Sequence, residues 1–254
     1  MVQIKTDEQF PHLEHAPIVE AVMDIRARAS VELEEDSIRH SLSAELSGYA
    51  FLDSHRQFQF GSLIRDGKPE SEPVVDLGWK GMRFRSRDET QIVQVNKDGL
   101  VFSRLAPYQN WEEFSGEGLR LWNLFKTRAK PADIHRIGLR FINRIPLPVS
   151  EEDWGKYLNA PLAPLPTSDL PCVGFMHHDI LAVPGHPYAV NVVRTIQPPD
   201  AGGRVGVILD IDVFTRDEMS LEENRLAQYL GEMRWLKNKV FFGSITEETK
   251  ELCK

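Results

Sequence analysis

"HRIGLRFINRI", residues 135–145, alternates apolar and polar side chains with the period of two that a half-buried β-strand requires. Ile137, Leu139, Phe141 and Ile145 fall on one face, while Arg136, Arg140 and Arg144 recur at every fourth position on the other. Asn143 interrupts the apolar face. A buried amide there must satisfy its hydrogen-bonding groups or cost about 1–3 kcal/mol. We therefore expect Asn143 to bond backbone at a sheet–helix junction, where the strand bulges before Pro146.

The segment before it reads the same way. "PIVEAVMDIRARA" (17–29) sets Val19, Ala21, Met23, Ile25 and Ala27 on one face, and Glu20, Asp24, Arg26 and Arg28 on the other with Val22. Residues 30–46 predict a helix with Ser30 as N-cap, a stripe of Leu33, Ile38, Leu42 and Leu46, and Gly48 at its end. Turn signals at "RDGKPE", "RSRDET" and "NKDG" then divide residues 56–105 into short strands. Residues 110–131 predict a second helix, with Asn110 and Glu113 at capping-box spacing and Pro131 as its stop.

After Pro131 the order begins again. The arginine strand is followed by a short acid-led helix (149–158), a proline-rich connection (159–171) and three strands, "CVGFMHHDILAV", "YAVNVVRTI" and "RVGVILDIDVF". A last helix starts near Leu221, with Ser220 and Glu223 as a capping box and a stripe of Leu226, Leu230, Met233, Leu236 and Val240. The expected fold is α+β: two βα(β)₃₋₄α pseudo-repeats sharing one extended antiparallel sheet, with long helices packed on one face. Residues 1–131 and 132–254 form the halves, together making one compact unit. This order of elements is similar to the duplicated saddle of the TATA-binding-protein fold, in topology and not in function.

The chain's 254 residues are 41% hydrophobic and 27% charged, an ordinary globular balance. A formal net charge of −8 disfavours nucleic acid and anionic membranes as general partners. The charge is uneven: residues 1–50 carry −6, residues 51–150 carry +4 and residues 151–254 carry −6. Cys172 and Cys253 are too few for a disulfide framework or a zinc site. The first residues lack the apolar core of a signal peptide, and no apolar run approaches the ~20 residues of a membrane span, so a cytoplasmic location is expected.

Two readings of the arginine strand follow. If the first strands of the two halves pair, Glu20 and Asp24 lie beside Arg136, Arg140 and Arg144 as a cross-strand ion-pair ladder. Alternatively these arginines, with Arg83, Arg85 and Arg87 of "GMRFRSR", make a basic sheet surface for an anion, since the guanidinium fork suits phosphate and carboxylate. Asp210 and Asp212 of "ILDIDVF" share a face and have the chemistry to hold Mg²⁺, though no glycine-rich phosphate loop accompanies them. "FMHHDIL" puts His177 and Asp179 on one face and His178 on the other, with His186 beyond the turn, but shows no further ligand at metal-site spacing. No serine or cysteine sits in a nucleophile-elbow or papain-like context. Trp79, Trp111, Trp122, Trp154 and Trp235 read as core and helix–sheet packing.

"HAPIVEAVMDIRARA", the "W..F" opening the second helix, "RIGLRFINRI" and the terminal "VFFGSIT" together resemble a sporadically distributed bacterial family of uncharacterised proteins. Arg136, Gly138, Arg140, Asn143 and Arg144 carry the most specific part of that resemblance. It implies a bacterial, intracellular, stand-alone protein and supplies no ligand or catalytic residue. The expected function is a non-enzymatic binding module that recognises a protein or an anionic ligand through its sheet face, with no cofactor. The alternative is a metal-dependent phosphoryl or nucleotidyl transferase or hydrolase using Asp210 and Asp212 with the strand arginines.

Overall fold

In the computed structural model of the chain, residues 2–65, 68–71, 74–147, 154–159, 174–197, 205–219 and 225–254 are described. The Ser220–Glu223 capping box, Cys172, residues 149–153 of the short helix and the proline-rich stretch from residue 160 lie outside them. In chain order the elements are β1 (Ile18–Arg26), α1 (Glu35–Glu45), β2 (Tyr49–Gln59), β3 (Ser62–Arg65), β4 (Lys68–Ser71), β5 (Val75–Ser86), β6 (Gln91–Asn96) and β7 (Gly99–Leu105). There follow α2 (Trp111–Ala129), β8 (Arg136–Leu147), β9 (Met176–Ala182), β10 (Tyr188–Gln197), β11 (Val205–Thr215), α3 (Arg225–Ser244) and α4 (Glu247–Leu252).

Nine strands form one open antiparallel sheet in the order β2-β5-β6-β7-β1-β8-β11-β10-β9. The two strands read first from the sequence are neighbours at its centre: Met23 faces Leu139 and Ala21 faces Phe141. Alternation decides which side is buried. Ala21, Met23 and Ile25 of β1, Ile137, Leu139 and Phe141 of β8, and Val207, Leu209, Ile211 and Val213 of β11 are at most 1% exposed. They join Ile38 and Leu42 of α1, Phe114, Leu121 and Phe125 of α2, and Leu226, Leu230 and Met233 of α3 in one core. The protein is thus α+β, with its helices packed against a nine-stranded sheet whose other face carries the polar series.

The cap of α2 is as its sequence predicts: Asn110 Oδ1 accepts from the Glu113 amide at 2.8 Å, and Asn110 Nδ2 donates to the Glu113 carboxylate at 2.8 Å. Ser30 is not the cap of α1, which begins at Glu35 with Glu34 in the cap position. Tertiary bonds hold this stretch extended instead. The amides of Ala27 and Ala29 donate to the carbonyls of Asp98 and Lys97, and the Ser30 amide donates to Ala129 O at 2.8 Å. β2 begins at Tyr49, earlier than its polar sequence suggests, and the described residues of "RDGKPE", 65 and 68–70, belong to the separate β3–β4 pair.

Candidate functional site

Glycines let the arginines of β8 lie flat on the sheet. A Cβ at Gly138 would meet Arg136 Nη1 at 2.5 Å, and one at Gly206 would meet Arg144 Nε at 2.8 Å. Arg136 bridges Asp24 of β1 at 3.0 Å and Asp212 of β11 at 3.1 Å. Arg140 forks onto Asp210, Nε to Oδ1 at 2.8 Å and Nη2 to Oδ2 at 2.5 Å. Arg144 Nε donates to Gln197 Oε1 at 3.1 Å. The arginine face is therefore an ion-pair ladder with a changed set of acids. Asp24 takes part, Asp210 and Asp212 supply the rest, and Glu20 acts on Arg140 by attraction without a hydrogen bond to it.

The sheet thus brings Asp210 and Asp212 together with Arg136 and Arg140 but keeps Arg83 and Arg85 apart. Three strands separate β5 from β8, a lateral distance of roughly 19 Å at the usual strand spacing. Arg83 forks onto Asp53 at 2.9 and 2.5 Å, and Arg85 approaches Glu89 at 3.5 Å. Burial pushes the Asp212 carboxyl up from its ordinary value, against the pull of Arg136. Asp210 and Asp212 are engaged by guanidiniums, so a cation binding there would have to displace them. Among the described residues no three histidine, cysteine or acidic side chains gather as metal ligands. Asp179 pairs with Arg194, His177 packs edge-on to Phe175, and His186 Nε2 lies 2.9 Å from Val2 O.

A different place on the molecule has the shape of a site. Beside α3, on the helix side of the sheet, a cleft of about 410 Å³ opens between residues 6–18, the start of α2 and the sheet. The Asn143 amide forms part of its lining and is only 2% exposed. Its Nδ2 donates to Leu209 O at 2.9 Å and to Phe141 O at 3.3 Å, the backbone satisfaction expected of it. The irregularity lies not before Pro146 but in β1, where the register with β8 shifts between Ile18 and Glu20, opposite Asn143.

Lys237 and Arg234 supply the cations of this cleft. They sit at i and i+3 on α3, so they share a flank of the helix. Arg234 lies over the Trp111 ring at 5.2 Å, with Glu112 at 3.6 Å. Lys237 Nζ stands 4.1 Å from the centre of the Phe141 ring, and no carboxylate among the described residues pairs with it. Burial, helped by the neighbouring Arg234 charge, pushes its pKa down to about 7. The other acid of the cleft is engaged as well: Glu8 accepts from Trp235 Nε1 at 2.8 Å and from Lys239 Nζ at 2.6 Å, which holds its carboxyl below the ordinary value. Burial keeps the Tyr108 phenol, which also lines the cleft, protonated.

Sequence reasoning missed Lys237. The signal was there: 226, 230 and 233 form a buried stripe on α3, and the next position at helical spacing, 237, is a half-buried lysine.

Comparison with known proteins finds no matching family model, no similar curated protein and no similar solved structure. No helix among the described residues is long and apolar enough to cross a membrane.

Proposed function

We propose that this protein is a binding module for a small anionic ligand, and that the ligand enters the cleft beside α3 rather than resting on the arginine face. The observation that carries this reading is the Lys237 ammonium, which lines the cleft without a carboxylate partner. A partly desolvated cation left uncompensated costs stability, and such groups concentrate where a ligand supplies the missing charge. A cleft of about 410 Å³ suits a ligand of metabolite size. Arg234, Asn238 and Tyr108 add polar groups around it, and the Trp111 and Phe242 rings supply apolar walls.

On this reading the β8 arginines position strands and do not bind the ligand. The metal-dependent alternative draws on the nearness of Asp210 and Asp212 to Arg140, but the mutual pairing of these groups favours a register-fixing role. The strand order also supports reading residues 1–131 and 132–254 as two related halves. β1 and β8 meet at the centre, and each half runs outward from its first strand through its last: β7-β6-β5-β2 on one side, β11-β10-β9 on the other.

The test is a thermal-shift panel of small carboxylates and phosphates, because a ligand that binds the folded state alone raises its melting temperature. Gly231 lines the cleft and a Cβ added there meets no atom within 4 Å, so Gly231→Leu narrows the site. The shift should vanish in Gly231→Leu and survive Arg140→Glu. The reverse pattern would return the site to the sheet face.

A further inference from the structure

We infer that Lys237 is a nucleophilic amine, and that the cleft captures 2-oxo acids or related carbonyl-bearing anions as a Schiff base. This deepens the binding reading and rests on it. Three features of the cleft point to carbonyl chemistry and not to charge pairing alone.

The first is the place of the amine. Lys237 Nζ lies over the Phe141 ring and is held by no acid among the described residues. The other lysine at this end of α3 is different: Lys239 is tied to Glu8 at 2.6 Å. The second is the division of labour between two cations. Arg234 is a permanent charge one turn before Lys237, suited to a carboxylate, which leaves the amine free to react. The third is the protonation state. A lysine desolvated beside another cation is unprotonated in useful amounts near neutral pH, the usual way such amines are activated.

The step balances without an oxidant or a metal. The Lys237 lone pair adds to the carbonyl carbon while the C=O π pair moves onto oxygen. A proton passes from nitrogen to that oxygen, giving a carbinolamine. The C–O bond then breaks, oxygen leaves as water after taking up a second proton, and the C=N bond forms; loss of the nitrogen proton gives the neutral imine. One amine and one carbonyl thus yield one imine and one water. The groups facing this chemistry are Arg234, Glu112, Tyr108, Glu8 and His12. Among them the Tyr108 phenol, kept protonated, is a hydrogen-bond donor to the oxygen and not a base.

The experiment uses the full chain with pyruvate and glyoxylate as probes, and lactate as the matching anion without a carbonyl. Reaction with cyanoborohydride is followed by intact mass and peptide mapping, in parallel with the thermal-shift measurement. At pH 7 the reduced adduct should map to Lys237, forming on the order of tenfold or more faster than at Lys239. Gly231→Leu should lose the adduct while keeping Lys237, and Lys237→Arg should lose it because a guanidinium does not condense with a carbonyl. If lactate and pyruvate raise the melting temperature but no adduct forms at Lys237, the Schiff-base proposal is overturned and the binding reading stands. An adduct spread evenly over the exposed lysines also overturns it. If no carboxylate shifts melting and no adduct forms, the binding reading itself fails.

Discussion

Replacing the half-buried Lys237 by methionine should stabilise the protein at neutral pH, against the usual rule that substitutions destabilise. In the unfolded chain the lysine titrates near 10.5, whereas in the fold it titrates at about 7. Below pH 7 both states carry the proton, and the fold bears the full cost of the buried charge. Between pH 7 and pH 10.5 the unfolded chain binds a proton that the folded protein does not, so stability rises with pH at up to about 1.4 kcal/mol per pH unit. The fall from 10.5 to about 7 sets an upper limit of about 4 kcal/mol for the penalty at pH 7. The Phe141 ring 4.1 Å away offsets part of this, since a desolvated cation–π contact is worth about 2 kcal/mol. Lys237→Met should therefore gain about 2 kcal/mol at pH 7, and the gain should shrink towards pH 9 as the wild-type amine loses its proton. Urea unfolding followed by tryptophan fluorescence at the two pH values measures both quantities. A variant less stable than wild type at pH 7, or a stability difference that does not change with pH, would refute the reasoning.

Other outcomes follow from the same geometry. Asn143→Leu leaves the Leu209 carbonyl without its side-chain donor and should cost about 1–3 kcal/mol in chemical denaturation; because Asn143 also lines the cleft, ligand shifts should weaken too. Gly99→Ala should cost about 3 kcal/mol or more, since φ is +146° and the new Cβ would meet Ile25 O at 2.2 Å. That loss would be read as a fall in the denaturation midpoint. Asp88, held at about 2 by Ser86 and by Thr90, should show that midpoint in an NMR titration, and Ser86→Ala should raise it. Its contribution to stability is present above pH 4 and is lost as the pH falls through about 2. Double-mutant cycles on Arg140 and Asp210 should give at most about 1 kcal/mol, falling with added salt, because the arginine side chain is 47% exposed.

Much of the sheet was legible because its strands alternate cleanly. β1 and β8 are visible in sequence, and their pairing follows once both are read as first strands. The cap at Asn110 is a local signal and local bonds honour it. Ser30 has the same local chemistry, but tertiary bonds to Lys97 and Ala129 override it. The acids that meet Arg136 and Arg140 were visible as Asp210 and Asp212, yet their partnership depends on β11 lying beside β8, a matter of strand order that no local pattern encodes. The cleft was hidden for a related reason. One wall is residues 6–18, most of which have no periodicity, and its lysine reads as a polar break in an apolar stripe until the fold shows that the stripe faces Phe141.

That irregular wall sets an order of assembly. The stretch from Val2 to His15 is tied to parts that come much later in the chain: the Val2 amide bonds Pro184 O, Glu8 meets Trp235 and Lys239, Phe10 stacks on Phe242 at 5.5 Å, and the His15 amide bonds Cys253 O. Contacts spanning 182 to 238 residues close late, because each needs distant parts of the chain in place. Ile4, Phe10 and Leu13 pack against the core from its outside as partly buried side chains, so the stretch is a strap fastened over the sheet and its helices. Its release would cost less than global unfolding, as local openings of this kind generally do. The cleft is then the last part of the molecule to be completed and the first to come undone.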